Sequence, residues 1–274
     1  MRGRALWTAF LGLVLAVGCS AAPTYPKARL AHDLQALFAD DHLKTAVRVL
    51  NHTLAVGLEY PDTLSQHNGQ LGIGPALDEA ARKVITDIHR VLLSSDADVR
   101  FYVLLISDPK SPGVYFGMVR YMDDVRRANA NMLDTPEILA RTILDFKFVG
   151  PQRMPTIDQY VHGDIRLEEF LSMQLAQRIQ MQLTADLQNT GVANVGPCGG
   201  TFEHGEFAFS LDVAPLTTNP LDERTIQKVF MTSTNVITKV LSSYHFDRFN
   251  AIRLIHPATG RMLFLPKARL DLFR

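Results

Sequence analysis

The densest grouping of chemically capable side chains in this sequence is Cys198, Glu203, His204 and Glu206. Thiolate, imidazole and carboxylate are the ligand types that a borderline metal such as zinc takes up. The spacing works against a shared ion. Glu203 and His204 are neighbours on a strand approach, where successive side chains point to opposite faces. The expectation is a solvated hairpin loop, with no metal, cofactor or catalytic residue assigned. Cys198 lies between Gly196-Pro197 and Gly199-Gly200. No positive neighbour stabilises its thiolate, and it reads as a small buried hydrophobe. The other candidates also read as structure. His162-Gly163-Asp164 is a turn and a helix cap, and His256 opens a turn. Asp123-Asp124 ahead of Arg126-Arg127 is a solvated helix face with local charge pairing. Met173 and Met181 flank a leucine stripe and read as core filling, with an adaptable docking face as the alternative. The local signatures G-x-S-x-G, H-E-x-x-H, G-x-x-x-x-G-K-[ST] and the dinucleotide fingerprint are missing, so any enzyme would need a site assembled from distant positions.

A different chemistry is legible at the N-terminus. Arg2 and Arg4 precede the almost wholly apolar run Ala5 to Val17, which ends at Gly18-Cys19. The run is shorter than the about 20 apolar residues a spanning helix needs, and its regions are those of an export signal. Ala16-Val17-Gly18-Cys19 resembles the lipobox of bacterial lipoproteins, a resemblance confined to residues 1 to 19. It implies cleavage before Cys19 and a thioether-linked diacylglycerol on its sulfur. Ala16 departs from the leucine more usual there. Ser20, in place of Asp, implies outer-membrane sorting. The expected organisation is a signal peptide over 1–18 and a lipidated tether over 19–27, which holds Pro23 and Pro26.

Charge and cysteine content narrow the partners. The 274-residue precursor carries 28 basic and 28 acidic residues. Loss of Arg2 and Arg4 leaves 26 against 28, a net charge of about −2. Such a balance argues against nucleic acid as a partner and against a polybasic grip on anionic lipid. Membrane attachment then falls to the acyl anchor. With Cys19 acylated, Cys198 has no partner for an internal disulfide, so stability rests on the core.

The elements that carry these residues follow from periodicity. Leu30, Leu34, Leu37 and Phe38, then Val47, Leu50 and Leu54, predict one or two helices ending near Gly57. Pro61, Gly69, Gly72, Gly74 and Pro75 predict a loop over 57–76. From Leu77 a unit of helix, strand, turn and strand appears, with Val84, Ile85, Ile88, Val91 and Leu92 as the helical stripe. Arg100 to Ile106 and Val114 to Val119 are its strands, on either side of Asp108-Pro109. The same order recurs from Ile226 to Leu265 at a constant offset of 148, matching Arg100-Phe101 with Arg248-Phe249 and Pro109 with Pro257. A third copy is read between them. Asp164 caps a helix whose Leu171, Leu175, Ile179, Leu183 and Leu187 run to Gly191. Val192 to Val195 and Glu206 to Val213 are its strands, across a turn at 196–200. Thr135 caps a further helix, with Pro136 at its first position, and Phe146, Phe148 and Val149 form another strand.

These units imply an α+β fold of antiparallel hairpins with helices packed on one face. The expected halves are 28–150 and 151–274, split after Gly150-Pro151 and Pro155, with one continuous domain as the alternative. In outline this is similar to the α/β domains of periplasmic accessory lipoproteins that help envelope machines assemble. The expected function is that of a periplasmic, outer-membrane, lipid-anchored component that binds a protein partner in the envelope. The alternatives are an envelope-modifying hydrolase with a nonlocal site and a small-ligand carrier. An enzyme predicts a deep pocket with convergent titratable groups, whereas a binding component predicts a shallow apolar surface along 57–76 or an open hairpin edge.

Overall fold

The computed structural model describes residues 24–61, 63–67, 70–148 and 156–270. The signal segment, Cys19 and the first part of the tether lie outside the described residues, as does the division at Gly150-Pro151 and Pro155. Helix α1 (Leu30–Asp40) buries Leu30, Leu34 and Phe38, one residue per turn. The expected second helix is a hairpin of β1 (Lys44–Val49) and β2 (Thr53–Glu59). Val47, Leu50 and Leu54 imitate a helical stripe. The β-branched positions Thr45, Val47, Val49, Thr53 and Val56 favour the pleated form instead, and four of the seven β2 positions from Thr53 are fully buried in sequence. The expected loop over 57–76 is corrected too. It contains the end of β2, the hairpin β3 (Leu64–His67) and β4 (Gln70–Ile73), and the first turn of α2 (Pro75–Leu93).

Strands β5 (Phe101–Ser107) and β6 (Val114–Tyr121) follow, then α3 (Met122–Asn129), α4 (Thr135–Arg141) and β7 (Ile143–Phe148). The cap of α4 is Asp134 and not Thr135, because the Asp134 carboxylate accepts the Glu137 N–H at 2.8 Å. After α5 (Ile157–Tyr160) comes α6 (Leu167–Leu183), continued by a π-helical turn over Thr184–Gln188; the predicted stripe along the two is correct, since Leu171, Leu175, Ile179, Leu183 and Leu187 are all fully buried. Its cap residue is Arg166, whose N–H is taken by the Glu169 carboxylate at 3.1 Å. Asp164 does not cap α6; it accepts the His52 N–H at 2.8 Å and so ties two distant segments together. The chain then forms β8 (Ala193–Val195), β9 (Gly199–Glu203), β10 (Glu206–Ser210), β11 (Val213–Pro215), α7 (Glu223–Ser243), β12 (Ala251–His256), β13 (Arg261–Pro266) and α8 (Lys267–Leu270). The turn expected at 196–200 is half strand. β9 pairs with β10, and the short β8 pairs with β11.

The larger sheet, sheet 1, has the order β1-β2-β5-β6-β7; sheet 2 has the order β13-β12-β10-β9. Each contains a single parallel pairing, β2 with β5 and β10 with β12, flanked by antiparallel hairpins. The fold is α+β, built from two units of the order α-β-β-α-β-β: α1-β1-β2-α2-β5-β6 and α6-β9-β10-α7-β12-β13. The second hairpin of each unit is the repeat expected from the sequence. Its register differs from the gapless alignment. Phe101 opposes Thr53, just after the His52 turn, and Ala251 opposes Glu206, just after Gly205. The equivalent of Phe101 is therefore Ala251 and not Phe249, an offset of 150 on this strand.

Each unit lays its own helices on one face of its sheet. Leu54, Val56, Tyr102 and Leu104 pack with α1 and α2. Phe207, Phe209, Ile252 and Leu254 pack with α6 and α7. The other face of sheet 1, with Ala55, Phe101, Val103, Val119 and Ile143, joins that second cluster. Helix α6 is thus shared between the two sheets. Gly200 makes this approach feasible, since a Cβ there would run into the Ser172 carbonyl oxygen on α6.

Within the first unit, His89 Nε2 lies 2.8 Å from the Tyr102 hydroxyl, and Arg120 donates to the same oxygen at 3.4 Å. Burial first, and the Arg120 charge second, hold the His89 imidazole down to about 4. A histidine with a depressed folded pKa binds its proton more readily in the unfolded chain. Its contribution is full above about pH 6.5 and is lost as pH falls towards 4. We expect this group to cost the fold on the order of 3 kcal/mol across that window. Urea titrations at a series of pH values should show a shallower acid slope in His89→Gln; an unchanged slope would reject the assignment.

Candidate functional site

A cleft with a volume of about 610 Å³ lies where the two units meet. Its floor is set by Phe101 at the entry to β5, stacked on Tyr121 with ring centroids 5.1 Å apart, and by Ile165 and Leu167 at the start of α6. The His52 turn, the segment before β5, the start of α3, the entry to α6 and the segment before β12 supply its rim. Hydrogen bonds fix these segments to one another. Besides the Asp164 bond to His52, the Ile165 N–H donates to Thr53 Oγ1 at 3.0 Å.

Four arginines line the rim: Arg100, Arg126, Arg166 and Arg248. Each already has a carboxylate partner. Arg126 meets Asp123 at 2.8 Å, Arg166 meets Glu169 at 2.6 Å, Arg248 meets Glu168 at 3.2 Å and Arg100 meets Asp98 at 3.4 Å. His52 Nδ1 is 3.2 Å from Asp98 as well. Tyr121 donates its hydroxyl to Asp123 at 3.1 Å; burial, then the Asp123 charge, pushes its phenol up to about 12. The cleft therefore offers a mixed-sign polar rim over an aromatic floor, suited to holding a polar ligand. Among its described groups there is no desolvated acid and base aimed at a common point, the arrangement that proton-transfer chemistry requires.

The residues singled out from the sequence are not brought together. Cys198 and Glu203 stand at opposite ends of β9, roughly 17 Å apart along an extended strand. His204 and Gly205 form the tight turn between β9 and β10, both with positive φ (52° and 79°). Glu203 and Glu206 then face each other across the hairpin, and Glu206 is engaged by Arg253. Among the described residues no group of three metal-ligating side chains converges. Cys198 is half-buried against the second cluster. Burial pushes its thiol up to about 11, with the Asp212 backbone hydrogen bond acting in the opposite direction. Cys198→Ser should cost at most about 1 kcal/mol, and thiol-reagent labelling of the native chain at neutral pH should be far slower than that of free cysteine. Rapid labelling would show that the thiolate is exposed after all.

His256 is fully buried, with Nδ1 2.7 Å from Thr259 Oγ1 and Nε2 2.9 Å from the Val213 carbonyl oxygen. It holds its turn in place. Two expectations are overturned. Met173 and Met181 are 39% and 59% exposed and do not fill the core, because they point away from the leucine stripe. Asp123 does pair locally with Arg126, but Asp124 is buried and joined to Arg141 at 2.8 Å and to the Tyr244 hydroxyl at 2.6 Å. The local Asp-Asp-x-Arg-Arg pattern is self-sufficient on paper, so nothing in it announces a partner 120 residues away.

No protein-family model matches this chain, and no curated protein matches its sequence. The outer face of sheet 2 carries Ala208 on β10, Arg253 and Ile255 on β12, and Met262 and Phe264 on β13. Met262 is 60% exposed and Phe264 50%. Sequence reasoning identified both as strand residues and missed their exposure, because β13 alone does not say which face is covered. Among the described residues no helix is long and apolar enough to cross a membrane.

Proposed function

We propose that this chain is a lipid-anchored periplasmic protein of the outer membrane that works by binding a protein partner in the envelope. The anchor rests on the resemblance of Ala16-Val17-Gly18-Cys19 to a lipobox. The binding role rests on one observation, the pair of large apolar side chains, Met262 and Phe264, held in the open on a rigid sheet face. The cleft itself favours a second reading, a small-ligand carrier, through its 610 Å³ volume and its exposed arginines.

The two readings separate on one set of variants. A tagged full chain, purified from envelopes in mild detergent, should retain a specific envelope protein. Phe264→Asp should lose it, and Arg100→Ala with Arg248→Ala should keep it. The opposite pattern, loss in the cleft variant alone, would move the function to the cleft.

A further inference from the structure

The register of the two units says what kind of surface fits the open face. Taking Phe101 and Ala251 as equivalent, Ala55 corresponds to Ala208, Val103 to Arg253, Gly117 to Met262 and Val119 to Phe264. In the first unit this face is closed by the helices of the second. Phe170 of α6 packs on Phe101 with ring centroids 5.3 Å apart, and the Gln177 side chain of the same helix accepts the Leu144 N–H of the edge strand β7 at 3.0 Å. Val103 and Val119 are buried there at 0% and 4% exposure. Phe264 holds the position of Val119 and is half exposed. The chain is therefore two units stacked head to tail, helices of the second on the sheet of the first. Among the described residues, one end of the stack shows a sheet face without its helices. The other shows α1 and α2 with no sheet beyond them among the described residues.

Building on the binding reading above, we propose that the occupant of the open face is a second copy of this chain, which lays its α1–α2 surface on sheet 2 as α6 lies on sheet 1. The chemistry of the two ends allows it. The helical end exposes Ala36 and Ala39 on α1 and Leu93 on α2, with Leu37 and Ile85 half-buried between charged positions. Small residues on α1 leave room for the Phe264 ring and the Met262 thioether. The charges on both ends are of mixed sign, Asp78, Arg82, Lys83 and Arg90 on α2 against Glu203, Glu206 and Arg253 on the open sheet face, so neither end repels the other as a block. A contact between two different surfaces is heterologous, and it extends into a ring or an open filament instead of stopping at a two-fold dimer.

Cysteine pairs in intact envelopes test this, in a Cys198→Ser background with Cys19 retained. Two differently tagged copies of the full chain are co-expressed, one with Phe264→Cys and one with Ala36→Cys or Ala39→Cys. Mild oxidation should give a mixed disulfide dimer, and each single variant expressed alone should give far less. A chain carrying both cysteines should give a ladder. Phe264→Asp, at a position too exposed to threaten folding, should keep the wild-type melting temperature and abolish the larger species seen on sedimentation in mild detergent. A Phe264–Phe264 disulfide as the main product would overturn the proposal in favour of a two-fold contact. A monomeric full chain with no cross-link would overturn it in favour of a different protein on that face. The binding reading fails separately, when Phe264→Asp also leaves the co-purifying envelope proteins unchanged.

Discussion

Arg141→Ala should destabilise the chain by about 3–5 kcal/mol, the range for removing one partner of a buried ion pair. The Arg141 and Asp124 side chains are 3% and 5% exposed. Arg141 also binds Glu137 at 2.8 Å and lies over the Tyr244 ring at 4.5 Å. Gln174 of α6 donates to the Arg141 carbonyl oxygen at 2.6 Å and to the Tyr244 hydroxyl at 2.9 Å. Burial pushes the Asp124 carboxyl above its ordinary value even though Tyr244 and Arg141 favour its charge. Truncating Arg141 removes that support and leaves Asp124 and Glu137 without it. The network also couples α3 and α4 of the first half to α6 and α7 of the second, so the loss should appear as one cooperative shift in a denaturant titration. Asp124→Leu combined with Arg141→Met should cost less than Arg141→Ala alone, because replacing both ions by apolar groups removes the desolvation penalty together with the attraction. A cost below about 1 kcal/mol for the single variant would mean the pair behaves as a solvated surface bridge.

What the sequence made legible was set by how locally each feature is encoded. The α6 stripe repeats every four residues, and all five of its members are buried as expected. β5 is a continuous apolar run, and all seven of its positions are buried. The β1–β2 hairpin was obscured because Val47, Leu50 and Leu54 have helical spacing, although the β-branched content of the run pointed the other way. β9 begins with Gly199-Gly200-Thr201, which carries no apolar alternation. Its glycine is there because the α6 backbone passes close by, a fact of tertiary packing. The parallel pairings that define both units join strands separated by helices and leave no mark in a window of sequence. The cleft draws its lining from segments between His52 and Arg248, so only the folded chain assembles it. Arg100 and Arg248 stood out as matched repeat positions, and their convergence on one cleft was the part that spacing did not contain.

Cys19→Ala should abolish metabolic labelling with fatty acid and with it the acyl attachment of the chain to the membrane. The thiol is the acceptor that the lipobox resemblance assigns, and a methyl group cannot form the thioether. Three acyl chains, or two, hold a protein far better than one, since each buried methylene contributes about 0.8 kcal/mol and a single chain gives only marginal retention. Without residues 1–18 the charge balance would be about −2 by residue count, and among the described residues no helix is long and apolar enough to span a bilayer. The variant should therefore appear either as an unprocessed precursor, held by its uncleaved apolar run, or as an unlabelled soluble periplasmic species. Fractionation by alkaline extraction with size analysis distinguishes these two products from each other and from wild type. The described fold begins at residue 24, close in sequence to Cys19. Tyr25 donates its N–H to Ser94 at 3.4 Å and Lys27 donates to Asp96 at 2.6 Å, which pins the end of the tether beside the C-terminal end of α2. With Cys19 only six residues from Tyr25, that end of the first unit must sit within roughly 20 Å of the lipid surface in the acylated chain. Equal labelling and equal membrane retention in Cys19→Ala would remove both the anchor and this orientation.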